Sequence, residues 1–327
     1  MSTETTLKEA PVYHELYGGE IRIKFNPGDH SYWLETEETT KKGTPKLKRL
    51  PGVTTHIGMK DKSKALIPWA VGVTLDYVKT TLEDNLQHIS GILGQDEVNK
   101  EELGRVVNII DSFVNTDSDG MYEMAQAEAG RIKEEAGAIG SIIHEWVENY
   151  INYQLGQLPI IPEMPEDERV IIGVTNFLNW VDEHKVKFLW SEKVVYSKEH
   201  GYIGTADIGA LIDGKFYLID IKTGNGLYAE VKMQTGAYLR ALMEELDIKE
   251  AGRMAIRIAK EDENQYMERM GKKKFYRDNP EREIPPFKVF EFIDFGDDQE
   301  TLERDFNAYL SCKNIYEWDA IASKEMR

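Results

Sequence analysis

Apolar positions recur along this chain at two periods, and the switches between them predict its elements. Ile139, Ile143, Val147, Tyr150 and Ile151 stand three and four residues apart, which predicts a helix over 121–153. Similar patterns predict helices through Trp69, Val73 and Tyr77, over 167–184, over 230–246 and over about 298–321. Runs rich in β-branched and aromatic residues predict strands at 21–25, 31–34, 188–196, 203–212, 215–222, 253–259 and 287–293. The first two flank the turn Asn26-Pro27-Gly28-Asp29 and read as a hairpin. A polar, basic connection then leads to Gly52-Val53-Thr54-Thr55. Residues 83–120 are polar and acidic with helical stretches, 160–165 form a loop, and a charged excursion separates the last two strands.

No internal repeat is present. Strands flanked by helices imply an α/β fold with a mixed central sheet and helical insertions. The expected organisation is a single domain over 1–327. It would comprise a hairpin and helical region at about 15–120, a core at about 121–295 and a C-terminal helix at about 298–321.

Composition narrows the classes. With 327 residues and 41% hydrophobic content the chain can bury a substantial core. No run of about 18 apolar residues is present, so no membrane span is expected. The N-terminus has neither a signal core nor a transit-peptide look, and the expected compartment is the cytosol. Cys312 is the single cysteine, which excludes an internal disulfide and a four-cysteine zinc or iron–sulfur site. The net charge of −18 argues against a protein that coats nucleic acid non-specifically. The charge is uneven, however. Residues 41–64 hold Lys41, Lys42, Lys46, Lys48, Arg49, Lys60, Lys62 and Lys64 against Asp61, and 272–277 read Lys-Lys-Lys-Phe-Tyr-Arg. These stretches are either solvated loops or local phosphate-contacting surfaces, with Lys46, Lys48, Arg49, Lys273, Lys274, Phe275 and Tyr276 as the candidate contacts.

The chemistry concentrates in 204–224. Asp213-Gly214 between two β-rich runs predicts a two-residue hairpin turn. If Ile212 pairs with Lys215, then Asp207 falls opposite Asp220 and Lys222 opposite Thr205, all on one face. Two directly opposed carboxylates on a largely buried face repel each other, and need a shared proton or a cation. Oxygen ligands of this kind suit Mg²⁺ or Mn²⁺, with the Ile221 carbonyl as a further oxygen. Lys222 would then hold the attacking water or offset charge on a phosphoryl oxygen. The alternative is an Asp–Lys pair at a sheet edge with an incidental Asp207.

Asp207 followed by Asp220-Ile221-Lys222 resembles the PD-(D/E)XK nuclease superfamily, and more closely its RecB-type exonuclease branch. Gly140-Ser141-Ile142-Ile143-His144, with Glu148 one turn on, is similar to that branch's helix motif, and Gln234 and Tyr238 to its Gln-x-x-x-Tyr. His30, Tyr32, Gly52-Val53-Thr54-Thr55 and Trp69 are similar to its upstream signature. The resemblance implies His144, Asp207, Asp220 and Ile221 as metal ligands, and Asp207, Asp220, Lys222, Gln234 and Tyr238 as catalytic residues. Glu192 matches an acidic position in relatives, and is equally readable as an ordinary strand-end carboxylate. A lone histidine beside Ile143 and Val147 is more often a packed or surface residue than a ligand, but Gly137 and Gly140 would let the helix approach the sheet and favour ligation. With Cys312 alone, the comparison lies with members that hold no iron–sulfur cluster.

The expected function is cleavage of DNA from a single-stranded end with Mg²⁺ or Mn²⁺, in recombination, replication or repair. Three alternatives stand: an endonuclease on the same core, a non-catalytic nucleic-acid-binding subunit, and an acidic DNA mimic whose surface engages a protein partner.

Overall fold

The computed structural model describes residues 10–60, 62–94, 98–114 and 121–326. Residues 1–60 with 140–327 form one compact unit, and residues 61–139 form a second. The chain opens with strands β1 (Val12–Leu16), β2 (Ile21–Asn26), β3 (Ser31–Thr39) and β4 (Pro45–Leu50), an antiparallel sheet in sequence order. The short helix α1 (Val53–Ile57) follows. The second unit is helical, with α2 (Ser63–Leu93), α3 (Lys100–Val114) and the first part of α4 (Met121–Gln154).

The remainder is α5 (Glu168–Glu183), β5 (Lys187–Ser197), β6 (Tyr202–Ile212), β7 (Lys215–Lys222), α6 (Glu230–Leu246) and β8 (Gly252–Ile258), then α7 (Glu263–Lys272), α8 (Lys274–Arg277), β9 (Phe290–Gly296) and α9 (Gln299–Glu325). Strands β5 to β9 form a five-stranded mixed sheet in sequence order. Only β7 and β8 are parallel, and α6 supplies the crossover that parallel neighbours need. Asp213 and Gly214 both take positive φ, 50° and 79°, as the Asp-Gly hairpin turn predicts.

Helices cover both faces of this sheet. Every residue of β8 is buried. On one side Leu218, Met233, Ala237, Tyr238, Phe306 and Tyr309 join β7, α6 and α9 in one apolar cluster, with Val53 and Ile57 of α1. On the other, α5 comes so close to β8 that a Cβ on Gly173 would stand 2.5 Å from Ile258 Cγ2. There Phe177 and Trp180 stack with each other and meet Phe188, Phe290 and Phe292. The small sheet packs Leu16, Ile23 and Leu50 against Val194, Tyr196 and Ile203 of β5 and β6.

The α/β class and the mixed sheet are as the pattern predicts, but three details differ. The N-terminal hairpin is the middle of a four-stranded sheet, because β4 lies in what reads as a basic connection. Its residues before Leu50 are all exposed, so no apolar alternation marks it. The charged excursion folds as α7 and α8, and α7 opens with an Asp262–Gln265 capping box that the sequence does contain. Strand β9 begins at Phe290 rather than Phe287.

One buried ion pair ties the layers together. Arg253 of β8, 1% exposed, donates to the Lys232 carbonyl of α6 at 3.0 Å and to Asp305 of α9 at 2.9 Å. Removing one partner leaves the other charge uncompensated inside the core, so Asp305→Ala is expected to cost about 3–5 kcal/mol. Denaturant unfolding measures this, and a loss below about 1 kcal/mol would show that the pair is peripheral to stability.

Candidate functional site

The β6–β7 ladder begins at the turn, Ile212 opposite Lys215, in the register that the sequence implies. It runs to Ile208 opposite Ile219 and stops there. The expected pairs of Asp207 with Asp220 and of Thr205 with Lys222 do not form. Instead Asp207 Oδ2 accepts the Ile221 amide at 2.7 Å. This correction has a physical reason: two carboxylates directly opposite each other are unfavourable, whereas one can satisfy an amide that the ended ladder leaves free. Asp220 and Lys222 pair on their other side with Ala255 and Arg257 of β8, and Thr205 pairs with Val194 of β5. It is the Ile221 amide, and not its carbonyl, that meets Asp207.

A second irregularity faces the first. On β5, Ser191 pairs with Ile208 and Lys193 with Ala206, so Glu192 stands opposite Asp207 without a ladder pair. Glu192 adopts φ 47°, a left-handed conformation rarely taken by a non-glycine residue inside a strand. Three carboxylates are thus gathered where two strand pairings lapse together.

Asp220 is the most constrained of them. It is 1% exposed, and its counter-charge is the Lys222 ammonium. Lys222 Nζ lies 2.7 Å from its Oδ2 as an ion pair. Burial pushes the Asp220 carboxyl up to about 6, against the pull of Lys222. Burial also raises Asp207, partly offset by Lys222 and the Ile221 amide. Glu192 is pushed up to about 8 by burial and by Asp207, Glu148 and Asp220. For Lys222, burial favours the neutral amine, but Asp220, Asp207 and Glu192 outweigh it and keep the ammonium.

The predicted helix residues belong to the same cluster. His144 on α4 is held below its ordinary value by burial and then by Lys222, with Asp220 opposing. Gly140 permits the approach, since a Cβ there would stand 2.6 Å from Thr223 Oγ1, one residue past β7. Gly137 has no such role, because its Cβ would meet nothing within 4 Å. Burial followed by Glu145 raises the Glu148 carboxyl. On α6, Gln234 Nε2 donates to the Tyr238 hydroxyl at 3.2 Å. The Tyr238 hydroxyl is held well above its ordinary value by burial and then by Asp220 and Asp207. Gly204 of β6 makes room for that ring, 2.4 Å from where its Cβ would be.

Two contacts were not legible in the sequence. The Tyr32 hydroxyl of β3 meets Thr205 Oγ1 of β6 at 2.6 Å, bringing the small sheet to within two residues of Asp207. Arg257, opposite Lys222 in the parallel ladder, donates to the carbonyls of Lys288 and, at 3.5 Å, Gly224. A parallel register leaves no turn to count from.

The basic stretches stand by their own contacts. Lys46, Lys48 and Arg49 lie on the exposed strand β4, where Lys46 is paired with Glu38 at 2.8 Å. Phe275 is half-exposed, with the Arg282 guanidinium 4.2 Å over its ring and Tyr276 at its edge. Burial and then Arg269 lower the Lys273 ammonium. Asp61 and the side chains of Lys64 and Lys274 lie outside the described residues.

Among the described residues, no three His, Cys, Asp or Glu side chains converge closely enough to enclose a metal ion. The donor set of two neighbouring carboxylates, Asp207 and the buried Asp220, instead fits a hard cation that keeps several waters, as Mg²⁺ does. None of the helices among the described residues is long and apolar enough to cross a membrane. Compared with protein-family models and with curated protein sequences, the chain matches none.

Folded Asp220 keeps its proton up to about pH 6, whereas an unfolded Asp releases it near pH 4. The folded state therefore binds more protons in this interval, and stability falls as pH rises through it. Without metal, Asp220→Asn is expected to exceed wild type in stability by roughly 1–3 kcal/mol at pH 7, and by little at pH 4. Asp207→Ala should do the opposite, losing about 1 kcal/mol with the acceptor for Ile221. Denaturant melts in chelator at both pH values check this. A wild type more stable than Asp220→Asn at pH 7 would mean that the carboxylate is structural.

Proposed function

We propose that this chain is a metal-dependent deoxyribonuclease of the PD-(D/E)XK kind that degrades DNA from single-stranded ends. The observation that supports the reading best is Asp220, a carboxylate buried beside Asp207 and Glu192, with Lys222 as its ion-pair partner. Three acidic groups beside one ammonium leave excess negative charge in a buried place, and a bound cation offsets it. Asp207 and Asp220 would hold the cation, with the His144 imidazole and the Ile221 carbonyl as the further donors that the resemblance implies. When bound, Mg²⁺ or Mn²⁺ would supply charge stabilisation at a phosphoryl oxygen and lower the pKa of a water.

The chain's own groups supply the rest. Lys222 remains protonated beside Asp220, so it acts as a cation and hydrogen-bond donor towards a phosphate rather than as a base. The Tyr238 hydroxyl keeps its proton and can donate it in a hydrogen bond, while Gln234 fixes its direction. His144 is neutral at physiological pH, which leaves a ring nitrogen free to ligate. The net charge of −18 with cations confined to short stretches suits brief contact with one strand better than tracking along a duplex.

Digestion of end-labelled linear single-stranded, duplex and covalently closed circular DNA with Mg²⁺ or Mn²⁺ tests the proposal. Linear single strands should be degraded fastest and closed circles left intact. Mn²⁺ should support more activity than Mg²⁺ at equal concentration, because an imidazole ligand suits it better. Asp207→Asn and Asp220→Asn should each lose roughly 10²–10³-fold or more, and His144→Ala most of the activity. Rapid cutting of closed single-stranded circles would replace the exonuclease by an endonuclease. No hydrolysis of any form with either metal would remove the catalytic reading.

A further inference from the structure

A cavity of about 310 Å³ lies between the small sheet, α1 and α9, lined by His30, Ser31, Arg49, Leu50, Pro51, Thr55 and Tyr316. Its volume is at the small end for ligand sites. Its lining combines two aromatic rings, one guanidinium and the Ser31 and Thr55 hydroxyls. We infer that this cavity binds one nucleotide unit, with the base against the rings of Tyr316 and His30 and the phosphate drawn to Arg49.

The rings are braced from behind. Tyr316 packs edge-on against His56 at 5.1 Å, and His56, fully buried, is bonded through Nδ1 to the Tyr309 hydroxyl at 2.8 Å. His30 takes φ 48°, its amide donates to the Pro27 carbonyl at 3.4 Å, and its ring meets Phe25 at 5.9 Å. Rings held in place bind a flat base with little loss of side-chain freedom. Arg49 stands on an exposed strand and is the cationic side chain of the lining. The nearby carboxylate of Asp29 is engaged by Ser31, at 2.6 Å to the hydroxyl and 3.2 Å to the amide.

One strand links the cavity's lining to the carboxylate cluster. Tyr32 follows the lining residue Ser31, pairs with the lining residue Leu50, and reaches Thr205 beside the cluster. This inference rests on the proposed nuclease function for the source of the ligand, which is either a nucleotide within a DNA strand or a released nucleoside monophosphate.

The test is binding of a fluorescein-labelled (dT)12 to the full chain in chelator, followed by anisotropy, with dTMP as competitor. Arg49→Glu and Tyr316→Ala should each weaken binding about tenfold or more, and Tyr316→Ala should leave Mn²⁺-dependent hydrolysis of bis(4-nitrophenyl) phosphate unchanged. Arg49 is exposed, so its variant keeps the inference testable if Tyr316→Ala unfolds. Competition by dTMP at micromolar concentration assigns the cavity to the free monophosphate, and its absence assigns it to a nucleotide within the strand. Oligonucleotide binding by the Arg49→Glu variant equal to wild type would overturn the inference, as would no binding of either probe by wild type. Failure of the nuclease reading is separate, because it would appear as no ester hydrolysis by wild type while binding still depends on Arg49.

Discussion

A carboxylate placed in a strand that helices and neighbouring strands enclose, with Lys222 as its ion-pair partner, is the constraint around which this sheet is arranged. Asp220 cannot be solvated where it stands, and the sheet around it departs from regularity to accommodate it. The ladder to β6 ends one pair short of setting Asp207 against it, and Asp207 turns to the Ile221 amide instead. On the far side of β6, Glu192 leaves the strand conformation at the same level. Lys222 stays charged because three carboxylates outweigh its burial. The left-handed conformation of Glu192 costs stability, and the departures together gather three carboxylates at one place.

The surrounding architecture makes that placement rigid. Strand β8, buried throughout, and the Arg253–Asp305 pair lock α6 and α9 to the sheet, so Gln234 and Tyr238 approach the carboxylates from a fixed helix. Gly204 and Gly140 are the two positions where absence of a side chain lets Tyr238 and α4 come close. The small sheet adds Tyr32 from a third direction. Side chains distant in sequence are thus supported by elements that the core already holds in place.

Much of this was legible in the chain itself. Asp213-Gly214 specified the turn, and counting back from it gave the correct register as far as Ile208 and Ile219. Counting failed at the next pair, because it assumes that a ladder continues wherever side chains alternate, and like charges end it there. The helix bearing His144 and the one bearing Gln234 and Tyr238 followed from apolar periodicity, and both form. Strand β4 was illegible because its charged residues alternate with nothing buried. The left-handed turn at Glu192 and the contact of Tyr32 with Thr205 depend on tertiary placement, which no local pattern encodes.

The central claim is that the cluster around Asp220 is a divalent cation site. Isothermal titration of Mn²⁺ into metal-free wild type and into Asp220→Asn, in two buffers of different ionisation enthalpy at pH 7, addresses it directly. Wild type should bind Mn²⁺ and release protons, because Glu192, pushed up to about 8, is protonated before the cation arrives. The Asp220→Asn variant should bind at least about tenfold more weakly, with the loss of a charged oxygen ligand. Equal affinity and equal proton release in the two proteins, or no binding by wild type, would contradict the account.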